Sequence, residues 1–133
     1  SSDLVQKNFI KELKKLESFK RKDYRVALQE CFMKMDALML SKDGKKELTK
    51  IATAGKPAAD GDLFEQMHAG CTANVVMITK GEILCANAGD SRAVLSKKGK
   101  AKDLSVDHKP DNPSEKRRIE RANGFVEEGR VNG

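Results

Sequence analysis

Asn87-Ala88-Gly89-Asp90-Ser91-Arg92 sits between two apolar extended segments, Ile83 to Ala86 on one side and Ala93 to Leu95 on the other. Gly89-Asp90-Ser91 interrupts what is otherwise strand patterning, so the acidic side chain falls at the end of a rigid element. A rigid carboxylate of this kind suits a hard divalent cation such as magnesium or manganese. One carboxylate cannot hold such an ion, so Asp90 needs partners from elsewhere in the fold. The plainer reading is a turn aspartate that accepts from local backbone amides.

Outward from this stretch the pattern is extended. Cys71 to Thr79 reads as a strand, and Val75-Val76-Met77-Ile78 is apolar on both faces, as in a strand covered on both sides. Lys80-Gly81 is a two-residue turn, so Glu82 to Ala88 returns antiparallel. Arg92 to Leu95 resumes, Lys98-Gly99 turns the chain, and Lys102 to Val106 follows. Asn112-Pro113-Ser114-Glu115 reads as a helix start, with Asn112 as cap, Pro113 first and Glu115 third. Gly124 ends that helix after Asn123. Phe125 to Val131 is expected to form one more strand.

The first third has helical period. Val5, Phe9, Leu13 and Leu16 predict an amphipathic helix over 3–20, capped by Ser2 or Asp3. A second helix is expected from Tyr24 to Leu40, with Asp23 as cap and Tyr24, Leu28, Cys31, Met35 and Leu38 as its stripe. Met33, Met35 and Met39 fit either ordinary core packing or a Met-lined groove. A short helix over Lys45–Ala54 follows the Asp43-Gly44 turn. The expected organisation is a single domain over 1–133. It comprises a helical hairpin plus short helix over 1–54, a small-residue linker over 55–69, and antiparallel strands with one helix over 70–133. The fold class is α+β.

Composition narrows the function. With 38% hydrophobic and 35% charged residues, the 133-residue chain suits a soluble globular protein with a real core. No apolar run approaches a membrane span and the charged start is no signal peptide, so no membrane partner is expected. Cys31, Cys71 and Cys85 are too few for a disulfide scaffold and read as buried reduced thiols, which places the protein in the cytoplasm or nucleus. The net charge of +6 lies mostly in residues 1–60, with 14 Lys/Arg against 9 Asp/Glu there and 12 against 11 beyond. With no Trp, one Tyr and five Phe, there is no basic stripe with stacking aromatics, so no nucleic-acid partner is expected.

Several other chemistries fail on spacing. Cys85 and Arg92 are separated by six residues where a cysteine-phosphatase loop needs five, and Asp90 would repel the phosphate. Ser91, Asp107 and His108 include the residue types of a serine triad, but no Gly-x-Ser-x-Gly elbow is present. The cysteines, His68 and His108 have no zinc spacing, and no Gly-rich phosphate loop occurs. Lys116, Arg117, Arg118 and Arg121 read as a solvated helix face that could also meet an anionic partner.

The ordered set is distinctive. It runs Gly70-Cys71-Thr72-Ala73, Asn87 to Leu95, Asp107-His108-Lys109-Pro110, Glu115 with Arg118-Ile119, Ala122-Asn123-Gly124 and Arg130-Val131-Asn132-Gly133. It resembles the PPM family, the type 2C metal-dependent serine/threonine protein phosphatases. Cys71 and Asn123 depart mildly, where the family commonly has Ser and Gly. The resemblance implies a sandwich of two antiparallel sheets flanked by helix pairs, here partial and incomplete at both ends. It implies phosphorylated protein substrates. It also implies magnesium or manganese ions bridged by a hydroxide that attacks phosphorus. Asp90 alone matches a family metal position, that of a third, weaker site. No residue matches a catalytic position, and the substrate-binding residues are not legible.

The family's upstream Asp-Gly-His-Gly-Gly motif is missing, since neither Asp43-Gly44 nor Asp60-Gly61 continues into His-Gly-Gly. The downstream Asp-Gly and Asp-Asn metal motifs are missing too. The expectation is a central fragment of a phosphatase domain, inactive alone, with little or no metal binding of its own. The alternatives are a piece of a PPM-like pseudophosphatase kept as a binding module, and a basic interaction module with coincidental motifs. Unpaired strand edges lead to the further expectation of self-association.

Overall fold

The structure is a computed structural model that describes residues 1–53 and 70–132. The chain divides into two compact units, Ser1–Cys71 and Thr72–Gly133. The described residues mix helices with small antiparallel sheets, an α+β fold. The linker expected over 55–69, with Asp60-Gly61 and His68 in it, lies outside the described residues.

The first unit contains α1 (Ser2–Lys15), α2 (Glu17–Lys20), α3 (Tyr24–Leu40) and α4 (Lys42–Ala52). Its core is apolar: Leu4, Phe9 and Leu13 from α1, Ala27, Leu28, Cys31 and Met35 from α3, and Leu48 from α4. Each large side chain removed from water here contributes about 1.5–3 kcal/mol before entropy is counted. The Phe9 and Phe32 rings meet edge to face at 5.6 Å. Of the three methionines in question, Met35 packs in the core while Met33 is exposed.

The predicted helix over 3–20 is two helices. Leu16 is extended, with φ −70° and ψ 135°, and no proline or glycine marks the break. Ser18 is consequently buried, and its hydroxyl donates to Glu30 of α3 at 2.5 Å. Ser1, rather than Ser2 or Asp3, takes the N-cap position of α1. The second helix has the expected bounds, and the Asp23 carboxylate accepts from the Val26 N–H at 3.4 Å. α4 begins at Lys42, not Lys45, because the Ser41 hydroxyl accepts from the Gly44 N–H at 3.0 Å. The expected Asp43-Gly44 turn is therefore the first turn of a helix. A Cβ on Gly44 would lie 1.9 Å from the Leu38 carbonyl oxygen, so only glycine lets α4 start this close to the end of α3.

The second unit contains β1 (Ala73–Ile78), β2 (Ile83–Ala88), β3 (Val94–Lys97), β4 (Lys100–Asp103), α5 (Pro113–Arg121), β5 (Val126–Glu127) and β6 (Arg130–Val131). Each sheet has two strands, β1–β2, β3–β4 and β5–β6. β1 and β2 pair from Ala73↔Ala88 to Ile78↔Ile83 across the Lys80-Gly81 turn. Lys98 and Gly99 both have positive φ, 52° and 74°, the geometry that lets a two-residue hairpin follow strand twist. That tight turn starts β4 at Lys100, two residues before the expected Lys102. The expected strand over 125–131 is instead a hairpin, turned by Glu128 and Gly129 at φ 48° and 72°. α5 ends with Asn123 left-handed at φ 61°, Gly124 N–H donating to the Ile119 carbonyl and Asn123 N–H to that of Glu120.

Among the described residues of this unit, only Leu84 and Ile119 are buried and apolar. β1 is apolar on both faces but not covered on both. Among the described residues Val76, Ile78 and Ile83 share a face and are 43%, 75% and 42% exposed. The thiols also differ from expectation: Cys31 is buried, Cys85 half-buried and Cys71 exposed, and all three are free. No helix among the described residues is long and apolar enough to cross a membrane.

Candidate functional site

The loop from Gly89 to Arg92 leaves the end of β2. Gly89 has φ +109°, and a Cβ there would lie 2.4 Å from Cγ2 of Thr72, so glycine is required by both backbone and space. Its carbonyl accepts from the backbone N–H of His108 at 2.9 Å and from Asn87 Nδ2 at 3.0 Å. Its own N–H donates to His108 Nδ1 at 3.4 Å. Asn87 Nδ2 also donates to the Val106 carbonyl at 3.0 Å, tying β2 to the segment after β4.

The far side of the loop is tied as firmly. The Ser91 and Thr72 hydroxyls are 2.8 Å apart, and the Ala93 N–H donates to Ser105 Oγ at 3.1 Å. Arg92 donates from two nitrogens to the two Asp107 oxygens, at 2.8 and 3.0 Å. A bidentate pair of this kind fixes orientation as well as charge. The Arg92 guanidinium holds the Asp107 carboxyl below its usual range, with help from Lys109.

Asp90 stands between these fastenings. It is exposed, and no hydrogen bond or ion pair to its carboxylate occurs among the described residues. The plainer reading, a turn aspartate bonded to local amides, is therefore not what the structure shows. The loop is held by its neighbours and presents Asp90 outward.

The other candidate residues take structural places. Ser91 bonds Thr72, Asp107 grips Arg92 and His108 accepts from Gly89, so the three do not assemble a triad. Asn112 begins α5 without a side-chain capping bond, because its amide donates to the Asp107 carbonyl at 2.6 Å. Glu115 pairs with Arg118 at 2.7 Å, and this ion pair holds its carboxyl below the usual range. Lys116, Arg117 and Arg121 are exposed.

Two residues of the network, Asn74 and Ser105, are not among the residues the sequence singles out, and Thr72 stands there only as part of the Gly70-Cys71-Thr72-Ala73 stretch. Asn74 carried a signal, a lone amide in the apolar run that ends at Ile78. As a donor set the loop fits a hard divalent cation in kind, since neither Asp90 oxygen has a protein partner among the described residues. It supplies one side-chain ligand, and no group of three or more His, Cys, Asp or Glu converges among the described residues.

Comparison with known sequences carries these observations to a class. The profile of the family described as protein phosphatase 2C matches residues 2–133. Protein phosphatase 2C 1 of Paramecium tetraurelia is 51% identical over 132 residues, covering 99% of this chain and 41% of its own. Probable protein phosphatase 2C 4 of the same organism is 49% identical over 132 residues, with the same coverage. Protein phosphatase 2C homolog 2 of Aspergillus fumigatus is 48% identical over 108 residues, 81% of this chain and 24% of its own. The chain belongs to the protein phosphatase 2C family. It spans about two fifths of the length of the Paramecium relatives it matches.

Proposed function

We propose that these 133 residues are a portion of one phosphatase domain, in a protein that hydrolyses phosphoserine and phosphothreonine esters on protein substrates with magnesium or manganese. The observation that carries this reading is the unbroken family match over residues 2–133, at about half identity to the relatives named above. A divalent ion in such a centre supplies Lewis acidity, lowering the pKa of water and neutralising phosphate charge.

This chain's part is to hold one ligand in place. Asp90 offers its carboxylate from a loop fastened at Gly89, Ser91 and Arg92, so little ordering remains to be done when an ion arrives. The remaining ligands come from parts of the protein outside this span. With one free carboxylate at the loop, the isolated chain turns over no phosphate ester. Its open face at Val76, Ile78 and Ile83 and its two-stranded sheets lead it to self-associate.

The test is hydrolysis of a phosphothreonine peptide by the longer protein that contains this sequence, with and without manganese. Metal-dependent turnover is expected, and Asp90→Asn should raise the manganese concentration needed for half-maximal rate. No turnover with manganese would overturn the reading in favour of a non-catalytic binding module.

A further inference from the structure

Asn74 lies within β1, directly across from Asn87 of β2. Strand interiors of this kind take apolar side chains, and Val75, Val76, Met77 and Ile78 follow it. Its amide is nevertheless fully engaged. Nδ2 reaches Asn87 Oδ1 at 2.9 Å, Ser105 Oγ at 3.1 Å and the Ser91 carbonyl at 3.4 Å. Its Oδ1 accepts from the Cys85 thiol at 3.7 Å.

Three separate stretches therefore converge on one side chain: the end of β2, the loop itself, and the irregular segment after β4. Each passes the constraint on. Asn87, oriented by Asn74, donates to the Gly89 carbonyl on one side of Asp90. The Ser91 carbonyl, on the other side, accepts from Asn74 itself. Ser105, also held by Asn74, receives the Ala93 N–H two residues further on. Among the described residues the Asp90 carboxylate has no fastening of its own, so its direction is set by its neighbours, and Asn74 is the side chain that reaches both flanks of the loop, beside the His108 bonds to Gly89 and the Thr72 bond to Ser91.

We propose that Asn74 is the positioning residue for Asp90, the side chain that holds the Gly89–Ser91 loop in the conformation that presents the carboxylate to a divalent cation. This rests on Asp90 being a metal ligand. Groups that orient a ligand from behind typically change metal affinity or activity about 10–100-fold when removed. An apolar residue of similar size would preserve β1 packing and abolish every one of these bonds, which separates positioning from packing.

The experiment compares the 133-residue chain with its Asn74→Leu variant by 15N relaxation and by titration with manganese chloride alone. In the parent chain the Asp90 amide should be as rigid as those of β2, with an order parameter near about 0.85. In Asn74→Leu it should fall below about 0.6 at Gly89–Ser91 while β1, β2 and β3 stay rigid. Manganese should broaden the Asp90 amide before those of Asp36 and Glu120, two other exposed carboxylates, and need about tenfold more metal to do so in the variant.

An Asp90 amide equally rigid and equally broadened in both chains would overturn the proposal while leaving Asp90 as a ligand. So would a loss of order spread evenly over the whole unit, the mark of a merely structural role. Equal broadening of Asp90, Asp36 and Glu120 in the parent chain would instead remove the ligand reading, and the proposal with it. If Asn74→Leu does not fold, Asn74→Ser, which removes the bridging amide but keeps a small polar group, is read against the same outcomes.

Discussion

The two units hold themselves together by opposite means. Among the described residues, the helical unit buries eight apolar side chains on three helices, whereas the sheet unit buries only Leu84 and Ile119. What organises the sheet unit is polar: the Asn74–Asn87–Ser105 amide and hydroxyl network, the Arg92–Asp107 clamp and the His108–Gly89 bonds. Apolar burial is non-directional and gives stability without fixing any one atom. Hydrogen bonds contribute less net free energy each but fix direction. The unit that carries the candidate ligand is the one built from directional contacts.

That contrast can be broken most forcefully in the helical core. Leu28→Ala should cost about 2–5 kcal/mol through lost burial and the cavity left behind. Urea unfolding followed by far-ultraviolet circular dichroism reads this loss directly. A cost near zero would mean that the helical unit does not depend on its apolar core.

Gly89→Ala comes next, at about 1–3 kcal/mol of local strain. A Cβ would sit against the side chain of Thr72 at a backbone angle that L-residues rarely adopt. The change should appear in the amide spectrum at residues 87–92 and 105–108, with the helical unit unmoved. Shifts spread into α1 and α3 would contradict the division of labour.

A third, smaller effect is pH dependence of the helical unit. Glu12 of α1 accepts from Lys15 at 2.5 Å and pairs with Lys34 of α3 at 2.8 Å, and these lysines lower its carboxyl to about 2. A depressed acid stabilises the fold above its ordinary value near 4.5 and loses that contribution as pH falls toward 2. Thermal midpoints between pH 5 and pH 2 should fall in the parent chain and fall less in Glu12→Gln.

Thiol chemistry sharpens the picture without disturbing it. Burial pushes the Cys31 thiol up to about 11, and it donates to the Phe9 carbonyl at 3.5 Å, so it should resist alkylation while exposed Cys71 reacts first. Mass mapping after brief iodoacetamide treatment checks the order. Self-association through the open β1–β2 face should appear as a concentration-dependent sedimentation coefficient, reduced by Ile78→Lys.

Much of this was legible where local chemistry decides the outcome. Asp23 caps the second helix and its bounds follow; Lys80-Gly81 and Lys98-Gly99 turn the chain where turn residues say they should. What escaped was decided by contacts between elements. Leu16 breaks a helix that its period would continue, and the break brings Ser18 to Glu30, twelve residues on. Ser41 starts α4 early by capping Gly44, a glycine needed because Leu38 lies where a Cβ would be. Glu128-Gly129 hid a hairpin inside an otherwise strand-like run. At the site, Asp90 stood out as an acid after a glycine. Asn74 and Ser105 did not, because their importance lies in partners up to 31 residues away.

The most direct test of the account is the 133-residue chain itself, assayed on a phosphothreonine peptide with and without manganese, beside Asp90→Ala. No metal-dependent turnover is the result predicted under the proposed function, in which this span offers a single candidate carboxylate, Asp90, from a preorganised loop. Manganese-dependent turnover that disappears in Asp90→Ala would contradict it, because these residues would then assemble a complete centre by themselves.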